Sequence, residues 1–426
     1  MGAKPFTIDC NIPAGNIIVD GVEGDLVKIH QDLRTSDNWF YWGFRVAGAE
    51  GRTLHFEFTD KYADGPVSVR GPAVTRDKGE TWSYAAESSA KTDGFTYTFA
   101  ADEAETWFYQ TFQYLPPQWD AFLARHEADR GRLFTTAELC RSRKGRPVPC
   151  ARFGQINAKP RYRMWLSSRH HCGEAPATYV LEGALGQIFA EDDLGAWLRE
   201  NVEVMVVPFV DYDGVVDGDQ GKGRKPHDHN RDYNLWVHPE TKAVADWIRD
   251  YAGNDIDVFL DIHDPWVRNQ YNEILFMTYG ANERENAAKR KWSKILERVQ
   301  CGSMAYREAD NYPWNFGWNT AGNGSVKTGA ATGTNVKSWA AKALKSPMIV
   351  FGYEVPFASA NGKPVTPQSC RDLGRDTMKV LREFVADAAS ANERHGGERS
   401  AKCLRSFSTR SSTGSVKSTP AASRTS

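Results

Sequence analysis

The sequence predicts an α/β protein, in which an N-terminal antiparallel β-sandwich domain precedes a larger α/β domain with a mixed central sheet. Two observations carry this prediction. Short aromatic and β-branched segments occupy residues 1–113, whereas apolar strand-like and helix-like runs alternate within residues 114–391. A chain of 426 residues is long enough for two domains with substantial cores. Residues 392–426 are rich in Ser, Thr and Arg, so we expect a disordered tail.

The N-terminal strands are predicted from short, partly alternating segments that Gly, Asp and Lys clusters separate. They cover residues 17–19, 39–46, 53–58 and 95–99. Pro116-Pro117 marks the end of this region, and a helical stretch over residues 120–126 follows it.

The turn after the first strand of the second domain carries two side chains that suit a metal. A strand is predicted over residues 163–168, and apolar residues at helical spacing predict a helix over residues 180–189. His171 and Glu174 lie between them, three positions apart, so both side chains can point the same way. An imidazole and a carboxylate suit Zn²⁺, which takes three protein ligands in catalytic sites.

Three further strands end on polar residues of the same kind. Residues 202–209 form an apolar run that leads into a polar loop with Arg224, Asn230 and Arg231. Residues 257–262 end on His263, the natural third ligand, and residues 348–353 end on Glu354. Ligands of open α/β sheets bind beyond the carboxyl ends of the strands, so these side chains are predicted to form one site.

Taken together, these motifs resemble the zinc metallocarboxypeptidases of the M14 family. The resemblance runs over roughly residues 6–390 and is greatest to the cytosolic carboxypeptidase branch, whose N-terminal domain is also rich in β structure. Three N-terminal segments carry the looser part of it: residues 14–17, 37–42 and 76–82.

The resemblance implies a role for each candidate residue. His171, Glu174 and His263 would bind one Zn²⁺ per chain, and Glu354 would be the general base. Asn230 and Arg231 would hold the substrate's terminal carboxylate, since a guanidinium and a carboxylate form paired charge-assisted bonds. Two more roles complete the set: Arg224 would stabilise the oxyanion, and Lys337 would select an acidic C-terminal side chain.

Several neighbouring residues compete with these assignments. His170 is out of phase with Glu174, and the resemblance gives Cys172 no ligand role. Lys222 and Lys225 share the loop of Arg224, and basic loops are commonly solvated, so a solvated position competes with the oxyanion role of Arg224. Residues 211–219 contain four aspartates but do not match an EF-hand loop, which favours an ordinary acidic turn.

Composition limits the partners. The net charge of −1 and pI of about 6.8 give no case for nucleic acid or anionic membrane. Neither a membrane span nor a secretory signal is recognisable, and the seven scattered cysteines suit reduced thiols, so we expect a cytoplasmic protein. The expected partner is the C-terminus of a peptide or protein; the sequence gives no oligomeric state.

Two other functions fit part of the pattern. Aspartoacylase and succinylglutamate desuccinylase-type amidohydrolases share the His-x-x-Glu…His scheme, but the N-terminal β domain and the Asn230-Arg231 pair argue against them. A non-catalytic binding protein on this scaffold is disfavoured because all three ligands and the base are present.

Overall fold

The computed structural model describes residues 5–34, 36, 40–59, 65–268, 271–328 and 331–408. The chain forms two compact units, Met1–Val380 and Leu381–Ser426. The first unit contains both predicted domains up to Val380, so the predicted boundary near residue 113 stays a prediction.

The described residues of the N-terminal region form nine strands. They are β1 (Thr7–Asp9), β2 (Ile18–Glu23), β3 (Leu26–His30), β4 (Gly43–Ala47), β5 (Thr53–Phe58), β6 (Ala73–Thr75), β7 (Ser83–Tyr84), β8 (Gly94–Thr98) and β9 (Glu105–Tyr109). One sheet has the order β1-β4-β9-β6-β7 and the other β2-β3-β5-β8. Phe56 of the second sheet lies 5.6 Å from Phe108 of the first between ring centroids, within one apolar core. This is the predicted sandwich, with one parallel pair, β3 and β5, among antiparallel ones. The predicted strand over residues 39–46 begins at Gly43 instead, and Trp39 lies outside the described residues.

The remaining elements alternate as the sequence predicts. They are α1 (Pro116–Arg125), β10 (Phe134–Arg141), β11 (Pro147–Gly154), β12 (Tyr162–Ser168), α2 (Pro176–Phe189), α3 (Asp193–Asn201), β13 (Val202–Val207), α4 (Tyr212–Asp217), α5 (Pro239–Ala252), β14 (Val258–Ile262), β15 (Phe276–Met277), α6 (Glu283–Val299), β16 (Ser325–Thr328), β17 (Ala331–Thr334), α7 (Val336–Ala343), β18 (Ile349–Phe351), β19 (Tyr353–Glu354), β20 (Ser359–Ala360), β21 (Lys363–Pro364) and α8 (Pro367–Ser408).

The central sheet is mixed, with the order β10-β11-β13-β12-β14-β18. Strands β13, β12, β14 and β18 are parallel, and β10 and β11 are antiparallel. Every residue of β13 and β14 is buried, as in strands covered on both faces. The parallel strands therefore deliver the residues that follow them to one edge of the sheet.

Two segments differ from the expectation of irregular structure. Residues 313–333 are rich in Gly, Asn, Thr and Trp with little periodicity, which predicts a long loop, but they include most of the β16–β17 hairpin. Helix α8 continues to Ser408, within the tail predicted to be disordered, and residues 409–426 of that tail lie outside the described residues. Among the described helices, no stretch combines the length and apolarity of a membrane span.

Candidate metal centre and active site

The three predicted metal ligands meet at the carboxyl edge of the sheet. Nδ1 of His171 lies 2.6 Å from Oε1 of Glu174, and Nδ1 of His263 lies 2.9 Å from Oε2 of the same carboxylate. The short turn after β12 delivers the first two residues, and the end of β14 delivers the third. All three are buried, and one ligand atom from each lies within 4.8 Å of the others.

The chemistry of this donor set fits a divalent cation. His263 meets a carboxylate at each ring nitrogen, because Nε2 also lies 2.6 Å from Oδ2 of Asp261. His171 is flanked in the same way by Glu174 and, at 3.5 Å, by Oδ1 of Asp228. Carboxylates only accept hydrogen bonds, so each ring needs a second proton or a metal between ring and carboxylate.

The pKa values of His171, His263 and Glu174 reflect this need for positive charge. Burial opposes charge on both imidazoles, but the neighbouring carboxylates prevail and raise the pKa of His171 and of His263 above the usual value. Burial also acts against the charge of Glu174, yet the two histidines lower its pKa to about 2. A bound cation would supply the positive charge that the protons provide without it.

Asp261 is a buried orienting residue that the sequence analysis missed. Its Oδ1 lies 2.9 Å from Nδ1 of His170, whose Nε2 is 2.9 Å from the Tyr233 hydroxyl, and its Oδ2 contacts His263. Carboxylates behind ligating histidines fix the ring orientation in metal sites. Asp261 and His263 are two positions apart on a strand, hence on one face, which is the signal that would have found it.

Glu354 lies beside the metal centre at the end of the neighbouring strand. A parallel bridge joins it to His263, and the Val355 N–H donates to the His263 carbonyl at 2.7 Å. The side chain is buried. Burial raises the pKa of Glu354, and the positive charges of Lys337 and His263 oppose that rise.

Asn230 and Arg231 share a one-turn 3-10 helix, His229–Arg231, next to the centre. Asn230 Nδ2 lies 3.1 Å from Nε2 of His263, and its Oδ1 accepts the Val336 N–H at 3.1 Å. The Arg231 guanidinium donates to the Asn230 carbonyl at 2.7 Å and lies 3.5 Å from Oδ1 of Asn323. Both predicted anchor residues therefore lie at the site.

Arg224 does not join them, which corrects the predicted oxyanion role. Its guanidinium pairs with the buried carboxylates of Asp211 and Asp219, the latter at 2.9 Å. Lys222 takes the position near the centre instead, within electrostatic range of Arg231, Asp228, Glu174 and Glu354. The two cations are two positions apart in one loop, and the loop turns them in different directions.

Lys337 lies on α7 and reaches the backbone that leads to Glu354. A β-carbon added at Gly352 would come within 3.0 Å of the Lys337 ammonium, so this nitrogen packs against the segment joining β18 and β19. The structure thus brings Lys337 near Glu354, the candidate general base. Cys172, in contrast, points its thiol at the Asp219 and Gln220 carbonyls, at 3.2 and 3.1 Å.

Comparisons with known proteins agree with this arrangement. The Peptidase_M14 (zinc carboxypeptidase) family model matches residues 119–236, which include five of the predicted site residues: His171, Glu174, Arg224, Asn230 and Arg231. A cytosolic carboxypeptidase 6 from Caenorhabditis elegans is 23% identical over 250 residues, 53% of this chain and 54% of the relative. The match thus spans about half the length of that relative.

Two solved structures share the fold. A metallo-carboxypeptidase from Burkholderia cenocepacia superimposes with a TM-score of 0.72 at 17% identity, covering 90% of this chain and 100% of the other. A metallo-carboxypeptidase from Pseudomonas aeruginosa, in complex with (2-guanidinoethylmercapto)succinic acid, gives 0.68 at 18% identity, covering 89% and 99%. The chain is therefore similar to the M14 zinc carboxypeptidases in fold and, over residues 119–236, in sequence.

Proposed function

We propose that the protein is a zinc-dependent carboxypeptidase that hydrolyses the C-terminal peptide bond of a peptide or protein. One observation carries the proposal. The two oxygens of Glu174 face Nδ1 of His171 and of His263, and Glu354 lies on the adjoining strand end. His171, Glu174 and His263 would hold one Zn²⁺, which when bound polarises a carbonyl and lowers the pKa of water.

Glu354 is the proposed general base. It would take the proton of the water that attacks the scissile carbonyl and later deliver that proton to the leaving amine. Its burial and raised pKa support this, since a carboxyl that holds a proton more readily is a better base and a usable acid near neutral pH.

Arg231 and Asn230 would bind the free C-terminal carboxylate. Arg231 is only 7% exposed, so a carboxylate beside it would be shielded from water and its paired hydrogen bonds strengthened. The anchor residues lie next to His263, a ligand candidate. A substrate held there by its terminal carboxylate would present its last peptide bond to the metal.

Lys222 is the proposed cation for the oxyanion, in place of Arg224. Burial lowers the pKa of its ammonium, and the guanidinium of Arg231 adds to this, while the nearby carboxylates act in the opposite direction. A cation whose charge is disfavoured in the free enzyme gains when negative charge develops beside it, which is how such a group lowers the barrier.

The preference for an acidic C-terminal side chain is a finer part of the proposal. Lys337 lies near Glu354, and Lys289 of α6 lies within electrostatic range of Lys337. Burial, with the charge of Lys337, lowers the pKa of Lys289 to about 8. Two neighbouring cations, one of them buried, favour a carboxylate between them over a neutral side chain.

A peptide panel tests the activity. Peptides that differ only in the last residue are incubated with the enzyme, with and without chelator, and a C-terminally amidated copy of each serves as control. We expect loss of a single residue that depends on metal and on a free carboxylate. Equal turnover of amidated peptides would favour an acylase-type amidohydrolase, and no turnover of any member would refute the proposal.

The side-chain preference needs a separate variant. Lys337→Met should lower the ratio of kcat/KM for Glu-ending over Leu-ending peptides, whereas Lys342→Met, an exposed lysine on the same helix, should not. An unchanged ratio in Lys337→Met would remove the acidic preference and leave the carboxypeptidase assignment intact.

We also expect the protein to work in the cytoplasm. The six cysteines whose side chains are described, including buried Cys150, Cys172 and Cys370, are free thiols, which suits a reducing compartment. Fractionation of the source cells, probed with an antibody to the chain, tests this.

A further inference from the structure

A second cluster of metal-type side chains lies where the chain enters α5. His229 belongs to the turn His229–Arg231, His238 directly precedes α5, and Glu240 is in its first turn. Their exposed fractions are 4%, 3% and 1%. One ligand atom from each lies within 4.8 Å of the other two, as in the catalytic group.

Two of the three ligand atoms of this cluster lack hydrogen-bond partners among the described residues. His238 donates from Nε2 to the His227 carbonyl at 2.7 Å, so Nδ1 keeps its lone pair. That Nδ1 and Oε2 of Glu240 are buried and have no partner among the described residues. Nε2 of His229 lies 3.9 Å from this oxygen, near the separation of about 3.4 Å expected between two ligands of a tetrahedral zinc.

The cations nearby do not satisfy these atoms. The cluster lines a cavity of about 650 Å³ that five cationic side chains also line: Arg34, Arg143, Lys144, Arg224 and Lys225. Arg34, Lys144 and Arg224 are each paired with another carboxylate, Asp219, Asp217 or Asp211, and the Arg143 guanidinium donates to the Val237 carbonyl. None of these cations is hydrogen-bonded to Nδ1 of His238 or Oε2 of Glu240, so a small ion in the cavity could reach both atoms.

The charge states suit a metal as well. Burial lowers the pKa of His229 well below its usual value, so its ring is neutral at pH 7 and can use a lone pair. Burial raises the pKa of Glu240 to about 7; the charges of Asp211 and Asp213 add to the rise and that of Arg224 opposes it. A dication would stabilise the ionised carboxylate while leaving the rings neutral.

We propose that His229, His238 and Glu240 form a second, structural zinc site, separate from the catalytic centre. Two imidazoles and one carboxylate are a ligand set that zinc accepts, with water or another group in the fourth position. Oδ2 of Asp211, also without a hydrogen-bond partner among the described residues, lies 3.7 Å from Nδ1 of His229 and would orient the ring when Nε2 binds the ion. An ion there would fix the turn that carries Asn230 and Arg231.

Zinc content of the untagged full chain tests the site, because an affinity tag would itself bind zinc. In a His263→Ala background, which weakens the catalytic centre, the protein is dialysed against micromolar Zn²⁺ and its metal is counted by plasma mass spectrometry. We expect about one zinc per chain there and less than about one fifth after adding Glu240→Gln, a change that preserves side-chain size. His263→Ala with His55→Ala, an exposed histidine of the sandwich, should keep about one.

The same loading in the Glu240→Gln double variant as in His263→Ala alone would overturn the site, as would an absence of zinc in His263→Ala. A titration of wild-type protein against a chromophoric chelator covers the case in which a variant fails to fold. Two equivalents of bound zinc are expected there, and one equivalent would overturn the site.

Discussion

Replacement of Lys222 by Met should separate the two cations of the loop that the sequence could not distinguish. Met keeps most of the length of the side chain and removes the ammonium. If Lys222 stabilises the oxyanion, kcat should fall by about 10²–10³, the usual effect of losing one such donor, equal to roughly 3–4 kcal/mol of barrier. Lys222→Arg should retain much of the activity, because a positive donor remains.

The two loop variants should differ in the opposite order in their effect on stability, with Arg224→Met losing more than Lys222→Met. The lowered pKa of Lys222 means that the folded protein holds this charge at a cost, so Lys222→Met should not lower the thermal midpoint. The charge of Arg224, in contrast, is stabilised in the folded protein. Burial acts against this charge, but the carboxylates of Asp211 and Asp219 outweigh burial and raise the pKa of Arg224. Arg224→Met would leave the buried carboxylate of Asp211 without its cation, a loss of about 3–5 kcal/mol.

The assay is kcat and KM on one cleaved peptide, with thermal unfolding of each variant in parallel. Lys225→Met, an exposed lysine of the same loop, is the matched control and should change neither quantity by much. A kcat for Lys222→Met within about threefold of wild type, or a larger kcat loss in Arg224→Met than in Lys222→Met, would refute the assignment.

Four further predictions test the site and the sandwich. Glu354→Gln should keep its zinc but lose about 10²–10⁴ in kcat, because an amide cannot accept the proton of water; activity within threefold of wild type would mean another base. Arg231→Lys should severely lower kcat/KM for peptides with a free C-terminus despite keeping the charge, since an ammonium lacks the paired donors; an unchanged value would remove the anchor role. His263→Ala should lose the catalytic zinc while its circular dichroism stays native-like, and a full complement of two zinc ions would contradict the ligand assignment. The pKa of Glu103 is lowered because hydrogen bonds from Thr106 and Tyr97 outweigh burial. Its ionised form therefore stabilises the fold above the unfolded pKa, and this stability is lost as the pH falls through the folded pKa. The difference in thermal midpoint between wild type and Glu103→Gln should accordingly shrink from pH 7 to pH 3.

The proximity of His171, Glu174 and His263 was predictable because it depends on local pattern and on sheet topology. Apolar runs identify β12 and β14 as buried strands, and parallel strands must end at one edge, so His171 and His263 had to lie close together. Asp261 was within reach of the same logic, since alternate residues of a strand share a face. The sandwich core followed from alternation alone, although the exact strand ends and the parallel β3–β5 pair did not.

The roles of Lys222 and Arg224 were beyond the sequence because distant contacts decide them. Arg224 turns toward Asp211 and Asp219, and Arg34 from the N-terminal region shares Asp219 at 2.8 Å. Nothing in the spacing of the loop reports a partner that lies 185 positions away. Spacing in the sequence shows which basic residues share a loop, whereas the folded structure determines which carboxylates each of them contacts.

Further contacts from the N-terminal region hold the loop that carries Lys222. Gln220 forms two buried hydrogen bonds with the backbone of Tyr41, accepting its N–H at 2.9 Å and donating to its carbonyl at 2.8 Å. Asn16 donates to the Gly218 carbonyl at 2.7 Å. These bonds fix the backbone immediately before Lys222, and buried amide pairs of this kind are costly to break because each leaves an unsatisfied polar group. The direction in which Lys222 leaves the loop therefore depends on contacts from the N-terminal region, which gives the β sandwich a part in shaping the candidate site.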